Sequence, residues 1–250
     1  VSDKRLLLLS NSTNAGEPFL QYPSAIIQEF LGSDVKRILF VPFAGVRITF
    51  ESYAAMVRER MALIGFEVDS IADAKDPAAS VREAEAIMIG GGNTFHLLRG
   101  LYQANLLNEI RERVESGIPY VGWSAGSNVA APTIKTTNDM PIVEPPSLGA
   151  LNLVPFQLNP HFTNESLPGQ RGETREDRLA EFTKVNPNVY VVGLREGTML
   201  RLANDELQLI GSSPARIFVN DAAGLEIAPG ANVQFLLGKA PPDTTGRIVY

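Results

Sequence analysis

Gly122-Trp-Ser-Ala-Gly126 sets Ser124 between two glycines, directly after the apolar run Ile118 to Trp123. A serine on a sharp turn between a strand and a helix is placed as in a nucleophile elbow. The turn lifts Oγ clear of the sheet edge, and the free N–H groups at the helix start face any oxyanion that develops there. The same position also suits a helix N-cap, a role that serine fills well. A nucleophilic serine needs a base, and the chain holds two histidines, His96 and His161. His96 lies inside the helical pattern Asn93-Thr-Phe-His-Leu-Leu98 and reads as an ordinary helix histidine. His161 lies in Leu158-Asn-Pro-His-Phe-Thr-Asn164, where a strand runs into a proline-broken loop. Loops after strand C-termini form the crevice of a parallel sheet, so His161 is expected on the same edge as Ser124.

A histidine base needs a carboxylate to fix its tautomer. Glu196 follows the strand pattern Val189 to Leu194, again at a strand C-terminus. Asp139 lies in the loop Thr136-Thr-Asn-Asp-Met-Pro141. Either can serve. Placement favours Glu196 and leaves Asp139 to orient its loop or to hold a substrate amine. The second glycine cluster, Gly90-Gly-Gly-Asn-Thr94, follows a strand and opens a helix that Asn93 caps. It lacks the spacing of a dinucleotide fingerprint. It suits an oxyanion hole, which takes one N–H from the residue after the nucleophile and one from a neighbouring loop. Ala125 and either Gly91 or Gly92 are the candidates.

These residues need a frame. Short apolar runs alternate with segments of helical period. Strands are expected at 4–10, 37–41, 67–71, 86–90 and 118–123, and helices at 24–31, 51–64, 77–84, after Asn93, and at 107–114. Such alternation predicts βαβ units and a three-layer α/β/α fold around a mostly parallel central sheet. Beyond residue 130 the pattern changes. Leu151 to Asn159 and Asn188 to Leu194 read as strands, and Thr174 to Val185 as a helix. After Met199, turn signals at Ala203-Asn-Asp205 and Gly211-Ser-Ser-Pro214 predict an antiparallel extension. One domain is expected over 1–237, with 238–250 as a tail.

Composition removes several alternatives. The absence of cysteine excludes disulfides, thiolate catalysis and cysteine metal sites, and two histidines make a histidine-based zinc site a poor fit. A net charge of −6 leaves no electrostatic footprint for nucleic acid or an anionic membrane. The run Leu6 to Leu9 is too short for a signal-peptide core, and no segment approaches a membrane span, so a cytoplasmic protein is expected, its true start trimmed before Val1.

Taken together, Gly90-Gly-Gly-Asn-Thr-Phe95, Gly122-Trp-Ser-Ala-Gly126, Thr136 to Val143, Asn159-Pro-His-Phe-Thr-Asn164 and Gly172-Glu-Thr-Arg175, in that order, resemble the peptidase E group, the α-aspartyl dipeptidases of serine peptidase family S51. Ser10-Asn-Ser-Thr13 and Val41-Pro-Phe-Ala-Gly45 match as well. The resemblance covers about residues 4 to 230. It implies a fold similar to the class I glutamine amidotransferases, of flavodoxin-like type. It also implies hydrolysis of Asp–Xaa dipeptides without a metal or other cofactor, by a monomer or homodimer. Ser124 becomes the nucleophile and His161 the base, with the third place divided between Glu196 and Asp139. Selection of aspartate calls for a cation, and Arg175 and Arg171 are the candidates, with Asn93 as a further substrate contact. The chain order serine, histidine, acid differs from that of α/β-hydrolases and argues against an esterase. Two alternatives remain on the same scaffold. One is cyanophycinase-like or other β-aspartyl hydrolysis, and the other is a ligand-binding module in which Ser124 is only a cap.

Overall fold

The computed structural model describes residues 4–164, 172–220 and 224–239. The first strand, β1 (Arg5–Leu9), shows why a layered fold forms. Leu6 and Leu8 face one apolar cluster and Leu7 and Leu9 the other, all at most 1% exposed. A strand alternates its side chains, so four consecutive leucines require cover on both faces.

That cover comes from the crossover helices. After β1 come α1 (Ser24–Leu31), β2 (Arg37–Val41), α2 (Phe50–Ala62) and β3 (Glu67–Ser70). The chain continues through α3 (Pro77–Glu83), β4 (Ala86–Ile89), α4 (Thr94–Gln103), α5 (Leu107–Glu115), β5 (Pro119–Trp123) and α6 (Ala125–Asn128). Ile27, Phe30 and Leu31 of α1 and Tyr53, Val57 and Met61 of α2 pack with Leu7 and Leu9. Val81, Leu97, Leu101, Ile110 and Val114, from α3, α4 and α5, pack with Leu6 and Leu8. The expected α/β/α layering is present.

The remaining elements are β6 (Gln157–Asn159), α7 (Arg175–Val185), β7 (Val191–Gly193), β8 (Thr198–Ala203), β9 (Glu206–Gly211), β10 (Ala215–Phe218) and β11 (Leu225–Ile227). The main sheet runs β3-β2-β4-β5-β1-β8-β9. Its first five strands are parallel, and β8 and β9 add the antiparallel extension.

Two expectations are corrected here. Leu151 to Asn159 is a strand only at Gln157–Asn159, and Asn188 to Leu194 only at Val191–Gly193. Leu151, Leu153 and Val154 are buried because they lie against the exit of α6. The N–H of Leu151 donates to Val129 O and that of Leu153 to Ala130 O, so their backbone is satisfied without a ladder. Moreover, β6 and β7 pair with each other in a second sheet of order β11-β10-β7-β6. His161 and Glu196 thus follow strands of a sheet other than the one that carries Ser124. No helix among the described residues is long and apolar enough to cross a membrane. Arg171 and residues 240–250 of the expected tail lie outside the described residues.

Candidate active site

β4 and β5 are adjacent parallel strands, so the turns at their C-termini lie side by side. The β5 turn carries Ser124 and the β4 turn carries Gly91. A Cβ on Gly91 would stand 3.0 Å from Ser124 Cβ. Ser124 has φ 52° and ψ −113°, a conformation that costs a non-glycine residue about 1–3 kcal/mol. The surroundings impose it. The Ser124 N–H donates to Leu9 O, and the chain then turns at once into α6. That helix presses onto the sheet so closely that a Cβ on Gly126 would lie 2.0 Å from Ile89 O. The Ser124 side chain makes no capping bond to α6.

Instead, Ser124 Oγ lies 2.9 Å from His161 Nε2. His161 Nδ1 lies 2.8 Å from Glu196 Oε1. With Nδ1–H donating to the carboxylate, Nε2 presents its lone pair to the serine hydroxyl. His161 also has positive φ, 54°. Its N–H donates to the buried Ser10 Oγ at 2.9 Å, and Ser10 in turn donates to Leu194 O at 2.8 Å. Ser10 follows β1 of the main sheet, while Leu194 follows β7 of the second. A single hydroxyl therefore bridges the two sheets under the histidine. Next to it, Asn11 Oδ1 accepts the N–H of Gly197, the residue after Glu196, at 2.9 Å. Ser10 and Asn11 were seen in the sequence as part of a matching run, but without this positioning role.

Asp139 is placed differently. Its Oδ2 accepts the Thr94 N–H at 2.7 Å and the Thr94 hydroxyl at 2.5 Å, at the start of α4. Among the described residues it makes no hydrogen bond to His161. Asn93 Oδ1 accepts from His96 N–H at 3.0 Å, and its Nδ2 donates to Met140 O at 2.9 Å. That carboxamide caps the helix and ties down the Asp139 loop, and Asn93 is not among the residues lining the cavity. His96 Nδ1 sits 2.6 Å from Phe43 O, away from Ser124.

The cavity beside Ser124 measures about 220 Å³. That is below the roughly 300–1,000 Å³ of sites for drug-sized ligands. Ser124, Ala125, Asn128, His161, Asp139 and Arg175 line it, with Thr94 and Thr137 at the Asp139 end. Among the described residues its lining therefore has one fixed cation, Arg175, and one fixed anion, Asp139. Arg175 opens α7, whose N-terminus is set by a capping box between Thr174 and Asp177. The neighbouring carboxylates are taken by other arginines. Glu173 pairs with Arg178 at 2.9 Å and Glu176 with Arg216 at 2.6 Å. Arg175 Nη1 is buried and has no hydrogen-bond partner among the described residues. Burial pushes the Arg175 guanidinium below its ordinary range, with Arg178 adding to the effect and Glu196 opposing it. Asn128 is also buried. Its Nδ2 donates to Leu158 O, and its Oδ1 is unpartnered. Asn128 went unnoticed in the sequence because an asparagine in a short helix carries no pattern of its own.

Behind these residues lies a closed ring of polar contacts. Arg195 donates to Asn164 Oδ1 and to both oxygens of Glu226. Arg216 bonds Glu226 and Glu176, and Asn164 Nδ2 returns to Glu176 at 2.9 Å. Arg195 adjoins Glu196 in sequence, Glu176 adjoins Arg175, and Asn164 closes the His161 loop. The ring fixes all three to β10 and β11. Among the described residues, no cluster of three histidine, aspartate or glutamate side chains could hold a metal ion.

Comparison with known proteins finds a matching family and a matching fold. The model of Peptidase family S51 matches residues 6–210. The chain is 52% identical over 237 residues to a peptidase E of Nostoc, covering 95% of this chain and 98% of that one. It is 46% identical over 231 residues to a peptidase E of Shewanella denitrificans, covering 92% and 98%. Among solved structures, a putative peptidase E of Listeria monocytogenes superposes with a TM-score of 0.64 at 22% identity, covering 84% of this chain and 99% of that one. A peptidase from an acI-B1 Actinobacterium gives 0.69 at 18% identity, covering 92% and 96%.

Proposed function

The chain belongs to peptidase family S51, and from that premise we propose that it is a serine dipeptidase cleaving Asp–Xaa dipeptides at a Ser124–His161–Glu196 triad. The observation that carries this reading is the continuous contact from Ser124 Oγ through the imidazole to Glu196, at 2.9 and 2.8 Å. His161 takes the serine proton as Oγ attacks the peptide carbonyl. The oxyanion forms against the N–H groups of Ala125 and of Gly91 or Gly92, none of which has an acceptor among the described residues. The C–N bond breaks as His161 passes its proton to the leaving amine. Water, deprotonated by His161, then resolves the acyl-enzyme and frees aspartate.

Charge complementarity supports the substrate class. The Arg175 guanidinium, whose Nη1 has no partner among the described residues, suits the aspartate side-chain carboxylate. Elsewhere in the lining, Asp139, whose recorded bonds use only Oδ2, and Asn128, whose Oδ1 is unpartnered among the described residues, suit the α-ammonium group. A free N-terminal aspartate presents both charges within one residue, in keeping with a small cavity. Asp139 is thereby a substrate-binding group and Glu196 the triad acid.

The test is hydrolysis of Asp–Leu by wild-type protein and Ser124→Ala, with and without chelator, alongside β-aspartyl-leucine. Turnover of Asp–Leu alone, unaffected by chelator and abolished by the substitution, is expected. Preferential cleavage of the β-linked peptide, or activity surviving in Ser124→Ala, overturns the reading.

A further inference from the structure

Tyr53 lies on α2, outside the cavity, and is 7% exposed. Its hydroxyl touches two groups. It lies 3.0 Å from Gly91 O and 3.0 Å from Trp123 Nε1. The indole N–H can only donate, so the direction of the chain is fixed: Trp123 donates to the tyrosine oxygen, and the tyrosine proton goes to Gly91 O. Accepting one hydrogen bond strengthens the one donated. Burial pushes the Tyr53 phenol well above its ordinary range, which keeps the proton in place at any working pH.

Gly91 O and the Gly92 N–H belong to one planar trans peptide and point in opposite directions. Holding the carbonyl therefore turns the N–H to the side away from Tyr53. The peptide needs holding. Gly92 has φ 139°, where glycine moves freely, and a Cβ there would lie 2.1 Å from Ala44 O. The contact below is close as well, since a Cβ on Gly90 would stand 2.6 Å from Tyr53 Oη. Trp123 immediately precedes Ser124, and a Cβ on Gly91 would meet its indole Cδ1 at 3.0 Å. One buried chain thus joins the turn that carries the nucleophile to the turn that carries the glycines.

We propose that Tyr53, held by Trp123, is a positioning residue that fixes the Gly91–Gly92 peptide so that the Gly92 N–H is the second donor of the oxyanion hole beside Ala125. This rests on the serine mechanism above. The ring of Tyr53 has a packing role of its own, edge-on to Phe40 at 5.0 Å and to Trp123 at 6.5 Å. Tyr53→Phe keeps that packing and removes only the hydroxyl.

The experiment compares wild-type protein, Tyr53→Phe and Trp123→Phe in Asp–Leu hydrolysis and in affinity for two probes. One probe is an aspartyl boronic acid, which becomes tetrahedral on the serine, and the other is product aspartate. Tyr53→Phe is expected to lower kcat about tenfold, less than outright loss of an oxyanion donor, with KM nearly kept. Its boronate affinity should fall by the same factor and its aspartate affinity should hold, which also shows that the variant is folded. Trp123→Phe should fall in the same direction by less. Unchanged kcat in Tyr53→Phe, or equal weakening of boronate and aspartate, overturns the assignment. Turnover by Ser124→Ala would instead overturn the serine mechanism, whatever Tyr53→Phe does.

Discussion

Glu196 Oε1 stands 2.8 Å from His161 Nδ1, yet the Glu196 side chain is 58% exposed. A triad acid in that setting is partly screened by water and orients the imidazole more than it electrostatically supports it. Glu196→Gln is therefore expected to lower kcat on Asp–Leu by about ten- to a hundredfold, short of the roughly 10⁴-fold loss at a buried triad aspartate, with KM nearly kept.

Asp139→Asn separates the two carboxylates. Its expected signature is a raised KM, because the fixed anion of the cavity is gone. It should also lower stability by about 1 kcal/mol, because a charged acceptor at the start of α4 becomes a neutral one. Steady-state kinetics and thermal unfolding of both variants check the pair. A larger fall in kcat for Asp139→Asn than for Glu196→Gln would reverse the assignment.

Arg175→Lys retains the charge and removes the planar fork. KM for Asp–Leu should rise about tenfold or more, since a bidentate carboxylate contact is replaced by a point charge. Discrimination between Asp–Leu and Asn–Leu should narrow in the same variant. An unchanged ratio of kcat/KM for the two dipeptides would remove Arg175 from the aspartate pocket.

Ser124 has a stability cost that can be separated from its chemistry. Ser124→Ala and Ser124→Gly should both be inactive, but only glycine relieves the backbone at φ 52°. Ser124→Gly is expected to unfold with about 1 kcal/mol more stability than Ser124→Ala. Equal unfolding free energies in denaturant would show that the turn carries no strain.

The ring behind the site predicts an acid limit. The Arg195 side chain, through its hydrogen bonds, holds the Glu226 carboxyl below the usual carboxylate range, with Arg216 adding to the effect. A carboxyl whose folded pKa is depressed stabilises the fold above its unfolded pKa. It loses that contribution as pH falls through the folded value. Wild-type stability should therefore drop below about pH 4 more steeply than that of Glu226→Gln. Parallel pH profiles for the two proteins would exclude the ring as a source of acid sensitivity.

The legible part of this molecule is the part with long, regular signals. Five apolar runs and their intervening helices could be placed because a doubly covered strand must be apolar throughout, as Leu6 to Leu9 are. Ser124 was legible because two glycines and a strand-to-helix junction surround it. The second sheet was not. β6, β7 and β11 are three residues each, too short for alternation to declare itself, and Leu151 to Val154 imitate a strand because Leu151, Leu153 and Val154 of that loop are buried. His161 and Glu196 were expected on one edge with Ser124, and they do lie beside it, but a different sheet delivers them. Arg216 and Glu226 carry no signal in the sequence, being single charges on short strands. Only the fold shows them joined with Arg195, Glu176 and Asn164. Tyr53 read as one more apolar position of its helix, since its hydroxyl finds its use only when α2 meets β4 and β5.

The hydroxyl of Ser10 is the hinge pin of this arrangement. Ser124 belongs to one sheet and His161 to another, so on the proposed mechanism turnover depends on how well the two sheets stay aligned. Turnover is thus expected to be sensitive to any shift between two sheets that share one apolar core.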